Sequence, residues 1–252
     1  MMFNTHSHLQ DPVFDETRDA LIEAVKERGM KVLLVGYTPQ MNRAAIALAE
    51  QHDNFVVAVG IHPNHANDWQ QQMDELRELS THDKVVAIGE CGLDYHWDTV
   101  DKGTQAAAFV AQLELANERK LPIVVHMRKA TEDTYAILSS TYQGPGVMHC
   151  YSGNAEYASK FIELGLHIGI GGPVTFKNAT ELQSIVAATD LRHLLVETDD
   201  PYLAPTPFRG QQNIVTHVEY VVEQIALLKQ LDVSTVASTT TTNALQVFGG
   251  ES

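Results

Sequence analysis

The stretch VVAIGEC at residues 85–91 decides the fold: Val85, Val86, Ala87 and Ile88 are apolar without a break, and the run then ends on Glu90. A strand covered on both faces reads this way, whereas a strand with one wet face alternates. Working outward, the pattern recurs at 31–37 (KVLLVGY), 55–62 (FVVAVGIH), 122–128 (PIVVHMR), 146–151 (GVMHCY), 167–174 (HIGIGGPV) and 193–199 (HLLVETD). With FNTHSH at 3–8 these segments predict eight strands. Apolar residues at helical spacing fill the gaps, as in Met41, Ala45 and Leu48, in Phe109, Leu113 and Ala116, and in Ile214, Val218, Val221, Ile225 and Leu228. Eight strands alternating with helices in 252 residues fit an α/β fold of the (β/α)8 TIM-barrel type, with a doubly wound parallel sheet as the competitor.

Composition narrows the class. The chain carries 32 Asp+Glu against 17 Lys+Arg, a net charge of −15, with 12 His, 2 Cys and 44% hydrophobic residues. Disordered, collagenous and disulfide-stapled proteins are excluded. So is a protein that coats nucleic acid or anionic lipid over a broad face. No signal peptide or membrane span is visible, so a cytoplasmic location and no membrane partner are expected. No Pro-, Gly- or Ser-rich linker and no repeat divides residues 1–252, which are read as one domain with no obligate protein partner. The Thr239–Thr242 run reads as a helix N-cap ahead of Asn243.

The polar residues fall at strand ends. His6 and His8 close the first strand, Glu90 the fourth, His126 the fifth, His149 the sixth and Asp199 the eighth. In a barrel these ends converge on the C-terminal mouth, where such folds place their active sites. His6 and His8, two apart on a strand, share a face and can reach one ion. Burying four imidazoles and two carboxylates without partners is costly, and two divalent ions would satisfy them. The expected division puts His6, His8 and Asp199 on one ion, His126 and His149 on the other, and Glu90 between them. Asp199 also suits proton transfer beside the attacking water, so Asp199 and Glu90 are the expected catalytic residues. Asp200, next in sequence, is expected to face solvent or cap a helix.

Further residues are less decided. His62 is either a contact at the mouth or a packed histidine, and His65 reads as surface. Cys91 and Cys150, each next to an expected ligand, should point away as small buried hydrophobes. Asp94 and Tyr95 fall after the fourth strand, where Tyr95 either stacks on a base or simply packs. Arg128, Lys177 and Arg209 are candidates for holding phosphate, with a solvated surface charge as the plain alternative.

The chain resembles the TatD family of metal-dependent deoxyribonucleases, within the amidohydrolase-like barrels. The resemblance rests on NTHSHL at 4–9, GIHP at 60–63, AIGECGLDY at 87–95, VVHMRKA at 124–130 and MHCYSG at 148–153. It continues through VTFKNA at 174–179, LLVETDDPYLAP at 194–205 and RGQQN at 209–213. It implies a barrel with two divalent ions, ligand roles for His6, His8, Glu90, His126, His149 and Asp199, and hydrolysis of phosphodiesters, often from the 3′ end of DNA. Three positions depart from the family's pattern: Asn4 and Lys129 where Asp is usual, and Phe208 where His is usual. None removes a ligand.

The expected function is therefore hydrolysis of a DNA phosphodiester, at a strand end or on a single strand, by water activated between two ions. Histidine-rich ligation favours Zn, Mn, Ni or Fe, and the resemblance keeps Mg in the set. The alternatives are a binuclear amidohydrolase or esterase cutting a C–N or C–O bond, and a metal-binding protein without turnover.

Overall fold

The strands form in chain order: β1 (Phe3–Ser7), β2 (Lys31–Val35), β3 (Phe55–Val59), β4 (Val85–Asp94), β5 (Ile123–Arg128), β6 (Gly146–Met148), β7 (Leu166–Ile170) and β8 (Leu194–Val196). In this computed structural model, which describes residues 1–249, each strand pairs in parallel with the next. The last segment returns to the first through a Ser7–Asp200 bridge, with His8 N–H donating to Asp200 O at 3.1 Å and Asp199 N–H to His6 O at 3.0 Å. An unbroken strand order with a closed seam is a (β/α)8 barrel. The doubly wound alternative would show a reversal of strand order.

Nine helices among the described residues surround or close the barrel: α1 (Arg18–Glu27), α2 (Pro39–Ala49), α3 (Trp69–Leu79), α4 (Lys102–Arg119), α5 (Thr131–Thr141), α6 (Ala155–Glu163), α7 (Thr180–Ala188), α8 (Val218–Lys229) and α9 (Val233–Phe248). Local chemistry starts several of them. Thr38 caps α2 ahead of Pro39, Asp101 caps α4 and Asn154 caps α6, each accepting a backbone N–H of the first turn. The Thr239–Thr242 run is not a cap. It lies inside α9, where Thr240 and Thr242 donate back to Val236 O and Ser238 O four residues earlier, and α9 begins after Asp232.

Alternation along each strand sorts the core into two layers. In β2, Leu33 and Val35 face the barrel interior with Phe3, Ala58, Ala87, Val124, Val147 and Leu195, while Val32 and Leu34 face the helices. Val247 and Phe248 of α9 pack against the interior group and close it from below. Two residues beyond Val124 and Val147, the same face is polar: His126 and His149. The floor of the site is therefore the top of the apolar interior.

Glu90 breaks the alternation. Ile88 and Cys91 both face the helix-side core, so the strand changes parity between them, and the register with β5 shifts at the same place. Gly89 makes this possible. It sits at φ +146°, and a Cβ there would lie 2.4 Å from Val124 O. Only glycine fits, and the irregularity turns Glu90 toward the barrel axis. Strands β6 and β8 are shorter than the sequence suggests, because Cys150 (φ 42°) and Asp199 (φ 56°) leave extended geometry. His149 and Asp199 thus stand just past their strands.

Gly89→Ala is expected to lower the free energy of unfolding by about 2 kcal/mol or more. Gly210→Ala, at φ +87° with open space around it, should cost only about 1 kcal/mol. Urea titration of both variants checks the order.

Candidate metal centre

Five imidazoles surround the Glu90 carboxylate. His126 Nδ1 lies 2.7 Å from Oε1, with His62 Nε2 and His149 Nε2 each at 3.6 Å. Oε2 turns the other way, 3.4 Å from His6 Nε2 and 3.9 Å from His8 Nε2. Asp199 Oδ1 completes that side, 3.7 Å from His6 Nε2 and 3.4 Å from His8 Nε2, which are themselves 3.3 Å apart. Donors arranged tetrahedrally about 2.1 Å from one ion stand about 3.4 Å from each other. The contacts of His6 and His8 with Glu90 Oε2, with Asp199 Oδ1 and with each other are near that spacing, and His6, His8 and Glu90 form one group of donors within reach of one another. Glu90 Oε1, His126 and His149 form a second group of donors within reach of one another.

The ring nitrogens turned away from this centre have different neighbours. His8 Nδ1 donates to Val35 O at 2.8 Å, and His6 Nδ1 is buried without a partner. His126 Nε2 is 3.1 Å from Asp94 Oδ2, which also accepts from Asn64 Nδ2 at 3.2 Å. His149 Nδ1 is 2.9 Å from Glu197 Oε1, a contact bent off the ring's N–H direction, so it acts chiefly through charge. Glu197 is not singled out from sequence, and Asp94, expected in the loop after the fourth strand with no role, is the last residue of β4. Each lies on the inward face at a strand end, inside LDY and VETD, and that placement was the available signal.

Burial and these contacts set the protonation. Burial would raise the Glu90 carboxyl, but the imidazoles of His62, His126, His149 and His6 pull it well below the ordinary range. Burial lowers His149, yet Glu197 and Asp199 overcome it and raise the ring to about 10. Burial, together with the facing His126 ring, pushes His62 down to about 3. His62 accepts Asn64 N–H at Nδ1, so a neutral ring presents Nε2–H toward Glu90.

Asp200 corrects the sequence reading. It neither faces solvent nor caps a helix: it is fully buried, accepts from Ser7 Oγ at 3.0 Å and contacts Thr198 Oγ1. Burial pushes its carboxyl up to about 6. Asn4 belongs to the same seam. Its Nδ2 donates to Thr198 Oγ1 (2.7 Å) and Val215 O (3.1 Å), while its Oδ1 accepts the N–H groups of Thr198 (3.1 Å) and His6 (3.3 Å). An aspartate could not make the two donor contacts, so Asn4 is suited to this wall.

A cavity of about 950 Å³ opens above the centre, at the large end for small-ligand sites. His62, His65, Trp97, Arg128 and Tyr202 stand on its wall. Cys150 lines it as well, contrary to the expectation that it points away, because its positive φ rotates the side chain toward the mouth. Cys91 is buried in the helix-side core as expected. Three expected substrate contacts lie elsewhere. Tyr95 donates to Asp133 Oδ2 at 2.8 Å and carries Lys102 over its ring. Arg209 stacks on Phe176, 4.4 Å from the ring centre. Lys177 is exposed and outside the cavity wall. Phe208 stacks on His217 at 4.2 Å.

Charge supplies the test of fit. Glu90, Asp94, Glu197 and Asp199 are at most 14% exposed, and among the described residues their only cationic neighbours within 4.0 Å are imidazoles. Two divalent ions would bring +4 to a wall with four carboxylates, so the donor set suits them. A (β/α)8 barrel with clustered imidazoles and carboxylates at its C-terminal mouth defines the class of metal-dependent barrel hydrolases.

The comparisons identify the family within that class. The family model "TatD related DNase" matches residues 3–249, and the chain belongs to that family. It is 42% identical to the "Uncharacterized metal-dependent hydrolase YabD" of Bacillus subtilis (strain 168), over 98% of this chain and 99% of the relative. It is 34% identical to the "3'-5' ssDNA/RNA exonuclease TatD" of Erwinia amylovora, over 98% and 100%. The solved structure of YJJV, a TatD homolog from Escherichia coli K12, superposes with a TM-score of 0.91 at 27% identity, covering 99% and 98% of the two chains. No described helix is long and apolar enough to cross a membrane.

Adding Zn or Mn to chelator-treated protein is expected to raise the melting temperature. The stabilisation should reach about 2.7 kcal/mol at a hundredfold excess over Kd. Glu90→Gln should abolish most of that increase, as calorimetric melting with and without the ion would show.

Proposed function

We propose that the protein hydrolyses phosphodiester bonds at the ends of single-stranded DNA or RNA, using two divalent ions held by His6, His8, Glu90, His126, His149 and Asp199. The observation that carries this reading is the pair of donor groups sharing Glu90, one with His6 and His8 and the other with His126 and His149, each with its ligand atoms within 4.8 Å of one another. Bound there, such ions supply Lewis-acid charge and make water acidic enough to attack at neutral pH. Zn, Mn, Mg and Ni remain the candidates.

The chain's own groups divide the remaining work. Asp199 is the most accessible carboxylate of the centre, and its Oδ2 accepts the proton of the attacking water. Glu90 holds the two imidazole groups at fixed separation. Arg128, on the cavity wall at the end of β5, neutralises the phosphate with its guanidinium. Trp97 is 52% exposed on the same wall, 5.7 Å from the Arg128 guanidinium, and offers a ring on which the terminal base stacks. The wall opens into a bounded cavity, and the protein carries −15 overall, which favours a strand end over a long duplex. The printed name of the Erwinia relative supports both the single-stranded substrate and the 3′ polarity.

The test is digestion of 3′- and 5′-labelled single strands by metal-loaded protein, beside a panel of lactones and cyclic amides. Shortening from the 3′ end is expected, with Asp199→Asn slower by about a hundredfold or more. Turnover confined to the lactones or amides would overturn the reading. Trp97→Ala should raise KM by about tenfold with kcat nearly unchanged, the loss of about 1.4 kcal/mol of stacking.

A further inference from the structure

The two donor groups of the centre are not equally supported from behind. On the Glu90 Oε2 side, His8 Nδ1 is fixed by a neutral backbone carbonyl, and His6 Nδ1 has no partner. On the Oε1 side, both imidazoles are backed by carboxylates. Asp94 Oδ2 stands 3.1 Å from His126 Nε2, and Glu197 Oε1 stands 2.9 Å from His149 Nδ1, there as a charge contact off the hydrogen-bond direction. A carboxylate against the far nitrogen keeps a proton on that nitrogen, leaves the near one free as a donor, and raises its basicity. The nitrogens left free are His126 Nδ1 and His149 Nε2, which face Glu90 Oε1 beside the Nε2–H of His62.

Both carboxylates are built into the fold for this contact. Glu197 is fully buried and also accepts the Cys150 N–H at 2.6 Å, which ties it to the residue following His149. Its space depends on Gly169 of β7, where a Cβ would come within 2.7 Å of Glu197 Oε2. Asp94 is 1% exposed and is held by Asn64 Nδ2 and by the N–H of His96 at 2.9 Å. A carboxylate enclosed this way, with only an imidazole as its cationic neighbour, costs stability in the metal-free protein. Its place is explained by what it does to the imidazole.

We infer that Asp94 and Glu197 are positioning residues that make the Glu90–His126–His149 position the tighter of two unequal metal positions. The inference rests on the two-ion reading above. Neither residue contacts the ion; each acts through the histidine it backs.

The experiment uses the full chain stripped with chelator and titrated with Co²⁺ alone, followed by visible absorption and calorimetry. Wild type is expected to show two phases of different affinity. Glu197→Gln and Asp94→Asn, which keep shape and remove charge, should each weaken the tighter phase by about 10- to 100-fold and leave the weaker one in place. Melting of the metal-free variants reports folding separately, and a merely structural role would lower that melting without moving either phase. Two equal phases in wild type, or variants that shift both phases together or neither, overturn the inference while the two-ion reading stands. A wild-type chain that takes up no ion overturns both. The two variants sit in different segments, at the end of β4 and just past β8, so a failure of one to fold leaves the other to read the same phase.

Discussion

The carboxylate of Glu90 is buried at the barrel axis among five imidazoles, and the site is organised around that fact. A buried carboxylate without compensation would cost several kcal/mol, so groups that can share its charge must reach it. They arrive from four places in the chain: His6 at the end of β1 with His8 just beyond it, His62 from the segment after β3, His126 from β5 and His149 from just beyond β6. Parallel strands in unbroken order make this convergence possible, because every strand ends at the same mouth. The two oxygens of Glu90 then sort the imidazoles into two groups, and Asp199 joins one of them across the seam between β1 and β8.

That seam links fold to chemistry. Asn4, Ser7, Thr198 and Asp200 form a buried polar network there, and Asp199 takes its positive φ between Thr198 and Asp200 within it. Closing the barrel and presenting Asp199 to the mouth are therefore one structural act. On the opposite side, Gly89 allows the change of parity in β4 that turns Glu90 inward. Interior packing below, from Phe3 through Phe248, gives the site a rigid floor, as a centre that must hold donor atoms to within tenths of an ångström requires.

The acidity of the chain bears on substrate in two ways. Exposed carboxylates repel a polyanion over the surface, while the buried ones define a cleft whose charge two divalent ions would balance. The cation nearest the cavity is Arg128, beside Trp97, and Lys177 and Arg209 stand outside it. The proposed substrate contacts are thus concentrated at the mouth.

The eight strands and the polar residues near their ends were legible in the sequence, because continuous apolar runs ending in polar groups carry both the period and the polarity of a buried parallel strand. His6, His8, His126 and His149 were legible for the same reason. The choice of a closed barrel over a doubly wound sheet came from the strand order and the Ser7–Asp200 seam. Glu90, read as closing the fourth strand, lies within it because β4 runs on to Asp94. The folded chain alone settles the places where the period fails or where contacts are distant in sequence. Glu90 points inward through a shift at Gly89, Cys150 reaches the cavity through a positive φ, and Asp200 is buried by pairing with Ser7, far away in the chain. Asp94 and Glu197 lie behind His126 and His149 through contacts across neighbouring segments; Tyr95 and Arg209 found partners away from the mouth, and Lys177 is exposed outside the cavity wall. Periodicity fixes which face of a strand a residue takes, but register shifts and long-range contacts fix what stands behind it.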